Sequence, residues 1–224
     1  MGNDNAANNV FNRTKTSGEL LSGGAYNLAM GLVLGWGFMV NWWMVKNIPV
    51  SAIAGINIWL FLLGYFALCF FGVYLFNRSA NPLVSFIGYN LVVAPFGFVI
   101  NLVVGRYDAA LVLEAMRITG TVVAGMMVLG SLFPAFFRRI NGALTAALLL
   151  VIIVELADAF LLHKRHGITD WIVVLIFSGY VGYDWGRANN IPKTLDNAVD
   201  SAAALYMDII NLFLRILRIL SRRR

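Results

Sequence analysis

Charge is what this chain has least of. Only 12% of its 224 residues are charged and 60% are hydrophobic, against roughly 25% and 45–50% in soluble domains. A soluble globular domain is excluded, and the mean hydropathy of +0.76 points to a chain built for lipid. There is one cysteine, Cys69, inside an apolar run. That rules out a disulfide framework within the chain and leaves a small buried hydrophobe as its ordinary role. Lysine occurs only as Lys15, Lys46, Lys164 and Lys193, all outside the apolar runs, so no mid-helix amine is available for a Schiff base. The two histidines, His163 and His166, flank Lys164 and Arg165 without a third ligand, which is too little for a zinc site. Phosphate-loop and zincin motifs are absent. The net charge of +6 falls between apolar segments and at the C-terminus. No aromatic residues interleave with it to stack on bases, so lipid headgroups and not nucleic acids are the expected counterpart.

What is present is apolar length. Continuous runs predict seven transmembrane helices at roughly 24–45, 52–76, 82–104, 109–134, 142–162, 170–187 and 198–220. They form one all-α, multi-pass domain over 24–220, between a polar tail at 1–23 and a basic tail at 221–224. The N-terminal tail lacks the pattern of a cleaved leader, so insertion is expected to use the first helix. The runs do not alternate, which excludes a β-barrel. Pro82 opens the third helix, Pro134 closes the fourth, and Pro95 lies inside the third, where it kinks the helix or is accommodated by neighbours. Gly31 with Gly35, and Gly120 with Ala124, have the spacing of close helix packing. With the N-terminus cytoplasmic, Arg13, Lys15, Arg78, Arg138, Arg139, Arg187 and Lys193 fall inside, against Lys46, Arg106, Lys164 and Arg165 outside. This favours that orientation. Arg215, Arg218 and Arg222 to Arg224 oppose it if the last helix crosses fully, which its length predicts.

The few acids inside apolar segments are the candidate functional groups, because a charge at the bilayer centre costs at least ~2.5 kcal/mol. Asp184 and Asp208 each lie beside or near a tyrosine in the last two helices, and antiparallel neighbours bring them to similar depth. Two carboxylates in contact share a proton, which makes a helix-to-helix bond that depends on pH. Ionised, the same oxygens are hard ligands for a transient Ca²⁺; the plainer reading is that each acid only bonds a neighbour. Asn211 extends the polar face of Asp208. Asp196 and Asp200 suit the start of the last helix, on its dipole or a solvated face, and an inward Asp200 would form part of an acidic entrance. Glu155 and Asp158 share a face of the fifth helix, where they line an outer vestibule or pair with Arg106 or Arg117. Glu114 and Arg117, three apart, read as a local ion pair.

The run from Leu205 through Tyr206, Asp208, Asn211 and Phe213 to Arg218 resembles the closing signature of the Bax inhibitor-1 family, also called the transmembrane Bax-inhibitor-motif family. Tyr183-Asp184 stands where that family has its other Tyr-Asp; Leu113-Glu114-Ala115 and Arg138-Arg139 also fit. The match is looser over 24–104. The resemblance implies seven helices with the last one central and wrapped by the other six. It also implies a pH-sensitive calcium leak, with Asp184 and Asp208 as gate and proton sensor. A basic residue at the inner end of helix two acts as a latch in the family, and Arg78 is the candidate, although its surroundings depart from the family's basic cluster. Glu155 and Asp158 are not part of the pattern.

The leading expectation is therefore a passive Ca²⁺ pathway in a cell membrane (the cytoplasmic membrane in a prokaryote), not an enzyme and without a cofactor. Ca²⁺ is the transported ion, and lipid and protons are the other partners. A membrane scaffold that regulates a protease or stress pathway through membrane protein partners, and a proton-coupled cation exchanger, are the alternatives. An aspartyl protease is disfavoured because Asp208 lacks the Gly-x-Gly-Asp context.

Overall fold

A computed structural model describes residues 18–158 and 167–222. Eight α-helices run through them: α1 Gly23–Asn47, α2 Val50–Ala54, α3 Ile58–Arg78, α4 Pro82–Val104, α5 Ala109–Leu132, α6 Pro134–Ala157, α7 Gly167–Asn190 and α8 Leu195–Ser221. Five of them, α1, α3, α4, α5 and α6, are long and apolar enough to cross a membrane. α7 and α8, at 24 and 27 residues, have the length but carry more polar side chains.

The helix starts follow from short polar side chains that satisfy otherwise orphaned amides. Ser22 accepts from Ala25 N at 3.2 Å, Asn57 from Trp59 N at 2.9 Å, Asn81 from Leu83 N at 2.9 Å, and Asp108 from Leu111 N at 2.8 Å. Asn57 corrects the expected single helix over 52–76. The short α2 ends at Ala54 with Gly55 as its cap, and Asn57 starts α3 afresh at Ile58. Pro134 supplies a second correction. It does not close a helix but occupies the first turn of α6, where a missing amide hydrogen costs nothing. Arg138 and Arg139 therefore lie on α6 and not in a loop. Pro95 is buried within α4, which continues through it.

The described residues form two compact units. The first holds those up to Arg106 together with Asn190–Ala204. Here α4 packs against α1, α2 and α3. Asn101 on α4 donates to the carbonyls of Met44 and Ile48, at 3.0 and 2.9 Å, and so ties off the end of α1. Trp36 donates to Asn90 at 2.9 Å higher up the same pair of helices. The α3–α4 contact is made by glycines: a methyl group at Gly88 would sit 2.6 Å from the Gly72 carbonyl oxygen.

The second unit holds the described residues of Tyr107–Asn189 together with the chain from Leu205. Val151, Val173, Ile176 and Tyr180 form its apolar cluster, with Leu144, Ala147, Leu148 and Phe177 packed against them. Trp185 on α7 donates to Ser131 on α5 at 2.8 Å, and Tyr180 to Thr145 on α6 at 3.0 Å. Gly130 on α5 faces the backbone of Gly182 and Gly186 on α7. α8 is one continuous helix; its residues to Ala204 belong to the first unit and the rest to the second.

The packing glycines are thus not those expected from spacing. Gly31, Gly35 and Gly120 are exposed, and a methyl group at any of them would meet nothing within 4 Å among the described residues. Lipid offers no penalty for such a surface, so small-residue spacing alone does not mark an interface. Gly88→Ala is accordingly expected to lose about 1–3 kcal/mol by overpacking. Gly31→Ala should be neutral, or stabilising by up to about 1 kcal/mol through reduced backbone entropy. Melting of the two purified variants in detergent checks the contrast.

Candidate functional site

α8 is the most amphipathic helix by sequence, yet its burial extends to every turn from Asp196 to Ile219. With about 100° between successive residues, Asp196, Asp200, Asp208, Asn211, Arg215 and Arg218 fall within an arc of roughly 120°. The helix therefore carries one polar stripe, acidic towards its start and basic towards its end. Lipid cannot solvate such a stripe, and it is protein that covers it.

At mid-stripe, within the second unit, the carboxyl groups of Asp208 and Asp184 hydrogen-bond to each other. Asp184 is 4% exposed and Asp208 7%. Ionised carboxylates only accept hydrogen bonds, so this contact requires one proton between the two. The remaining oxygens, Oδ1 of Asp184 and Oδ2 of Asp208, have no hydrogen-bond partner among the described residues. The mutual contact gives one oxygen of each acid a partner, which lowers the cost of burying the two together. The arrangement can hold or release a proton, and when it releases one the bond becomes a repulsion.

The cation whose charge acts on Asp184 is Arg187, one turn further along α7, and Arg187 and Arg138 both act on neighbouring Tyr183. Arg187 was legible as a counter-ion from its i, i+3 spacing to Asp184. Arg78 lies at the end of α3, in the first unit, with its guanidinium 5.8 Å from the centre of the Tyr74 ring. Asn211 shares the stripe with Asp208 but donates its amide to the Met207 carbonyl of its own helix at 2.8 Å.

Towards the start of α8, in the first unit, Asp196 is 3% exposed and accepts from Ser85 Oγ at 2.6 Å. It faces protein, which corrects the expectation of a solvated face, although its place in the first turn still suits the helix dipole. The Asp200 oxygens are likewise enclosed, so this residue faces inward. Tyr26 completes the group by bonding Ser201 Oγ at 3.1 Å.

Glu155 does not pair with Arg106 or Arg117. It is bridged by both terminal nitrogens of Arg215, from α8, because the end of α6 meets the basic end of the stripe. Asp158 caps α6 and is buried. Asp170, in the first turn of α7 and 1% exposed, also pairs with Arg215 and in addition with Arg218 and Arg222. Its sequence signal was a lone acid twelve residues after Asp158, in register with nothing local. His163 and His166 lie outside the described residues, and among the described residues no group of three or more potential metal ligands occurs.

Comparison with known proteins places the chain among membrane proteins. Relatives include an uncharacterized membrane protein of Streptococcus pyogenes serotype M3, 27% identical over 136 residues, covering 56% of this chain and 58% of the relative. Another is an uncharacterized membrane protein of Vibrio cholerae serotype O1, 25% identical over 146 residues, covering 64% and 65%. The chain thus spans less than two thirds of the length of the curated relatives that it matches. Residues 21–224 match the family described as inhibitor of apoptosis-promoting Bax1. With almost the whole chain inside that match, including the Asp184 and Asp208 pair, this integral, multi-pass membrane protein belongs to the Bax inhibitor-1 family.

Proposed function

We propose that the protein is a pH-sensitive Ca²⁺ leak pathway, gated by the proton that Asp184 and Asp208 share. The observation that carries this reading is the mutual hydrogen bond of two buried carboxyl groups on α7 and α8. A purely structural polar contact at this position needs no titratable group; an Asn or Ser pair would hold the helices at lower cost. Two carboxyls instead give a contact that exists with one proton and fails without it.

The polar stripe of α8 supports the same reading. A cation needs oxygen atoms to replace its hydration shell, and Ca²⁺ takes carboxylate and carbonyl oxygens. Asp196, Asp200, Asp208 and Asn211 supply such groups along one helix face. In this proposal α7 and α8 complete a set of seven membrane-crossing helices, with α8 innermost and the others around it. Arg187 neutralises Asp184 when the pair ionises, and Arg78 is kept as a latch on the strength of the family resemblance. Asp184 and Asp208 would be contacted by Ca²⁺ only in passing.

Ca²⁺ flux into liposomes holding the purified protein tests the gate. Wild-type flux should change with pH, whereas Asp184→Asn and Asp208→Asn, which keep size and hydrogen bonding, should each flatten the response. Variants that retain the wild-type pH profile would make the pair structural. Absence of flux at every pH would favour a scaffold that regulates a partner protein.

The orientation has its own test. With the N-terminus cytoplasmic, the α5–α6 junction is also cytoplasmic. A cysteine replacing exposed Phe133, in a Cys69→Ala background, should resist an impermeant thiol reagent in intact cells. Rapid labelling would invert the topology.

A further inference from the structure

The basic end of the α8 stripe is held by acids from two other helices of the second unit. Arg215 makes a two-pronged bridge to Glu155 of α6, with Nη2 donating to Oε2 at 2.8 Å. Its Nη1 also donates to Asp170 Oδ1 of α7 at 3.0 Å. Asp170 Oδ1 also accepts from Arg218 Nη1 at 3.2 Å, and Arg222 Nη1 lies 2.9 Å from Asp170 Oδ2 as an ion pair. Three guanidinium groups thus surround one carboxylate that is 1% exposed, and the side chain of Arg215 itself is 18% exposed. The forked geometry of Arg with a carboxylate fixes the guanidinium in place far better than a flexible ammonium would.

The position of this group gives it meaning. Arg215 is seven residues beyond Asp208, two turns and roughly 10 Å along the axis on nearly the same face. A cation that follows the stripe past the aspartates meets an immobilised positive charge in surroundings of low dielectric. Its two acids do not belong to the Asp184 and Asp208 pair. We infer that Arg215, clamped by Glu155 and Asp170, is a cationic barrier on the stripe, a closure separate from the aspartate pair and one that sets how fast cations pass. This inference rests on the proposed cation pathway for its physiological meaning, but the barrier itself can be measured without Ca²⁺ flux.

Arg215→Gln removes the charge; Asp170 keeps Arg218 and Arg222, whereas Glu155, whose side chain is 32% exposed, loses the guanidinium that bridges it. Ca²⁺ flux into liposomes at fixed pH should rise roughly tenfold, the low end of what a change in local charge does to ion entry. The pH response should persist. Arg215→Lys keeps the charge while losing the fork, and should retain wild-type flux. If Arg215→Gln unfolds the protein, the pair Arg215→Gln with Glu155→Gln removes both partners of the bridge and takes its place. Where the wild-type protein passes Ca²⁺, flux unchanged by the loss of charge, or raised equally by the lysine variant, would overturn the barrier. The second readout uses Asn211→Cys in a Cys69→Ala background. A cationic methanethiosulfonate should react faster there once Arg215 is neutralised, and an anionic one slower. Equal rates with and without the Arg215 charge would overturn the inference. Should wild type and variants pass no Ca²⁺ while the two reagents respond as expected, the barrier stands and the proposed Ca²⁺ leak fails.

Discussion

Hydrocarbon cannot solvate charge, and this one constraint organises the structure around α8. A helix with Asp208 and Arg215 on one face and lipid on all others would be expelled or would twist its polar face into an interface. Here the polar face is covered by protein, and its charges are met group by group. Asp196 receives the Ser85 hydroxyl. Asp208 meets the Asp184 carboxyl, and Arg215 is taken by Glu155 and Asp170. α3 carries apolar side chains such as Trp59, Leu63 and Phe70, each more than two thirds exposed and ordinary in a membrane.

Much of this was legible in the residues, because long apolar runs admit few readings. Helix membership along α1, α4, α5 and α7 follows from run length, and Asp184 and Asp208 stood out by being acids where acids are expensive. The misplacements share one cause: local punctuation was read without its direction. Proline before a run and proline after a run look alike in composition, so composition does not reveal that Pro134 begins a helix. Asn57 was lost inside an apolar stretch although a short polar side chain two residues before Trp59 is a cap in waiting. Glycine spacing failed for a different reason. Every helix surface repeats at three and four residues, and only the partner decides which repeat is pressed against another backbone, as at Gly72 with Gly88.

The acidic residues show where sequence reasoning reaches its limit. Glu155 could be recognised as too polar for its surroundings, but its partner lies 60 residues away on another helix. No local pattern points across that distance. The same bridge bears on the charge asymmetry of the chain. Arg215, Arg218 and Arg222 weighed against the N-terminus being cytoplasmic, yet all three are engaged with buried or half-buried carboxylates. A guanidinium already neutralised within the fold presents less free charge to the membrane potential, and so the conflict with the other loops is milder than a bare count of arginines suggests.

Phe133 is at once the residue that ends α5 and the residue that begins α6. Two helices joined through a single residue have no slack between them. A rotation of one about its axis must be absorbed at two backbone torsions or passed on to the other. The junction is therefore an elbow and not a tether: the pair can fold towards or away from each other, but neither helix can slide along the bilayer normal alone. Motion at this part of the molecule is therefore a bend at Phe133 and not a slide of one helix past the other.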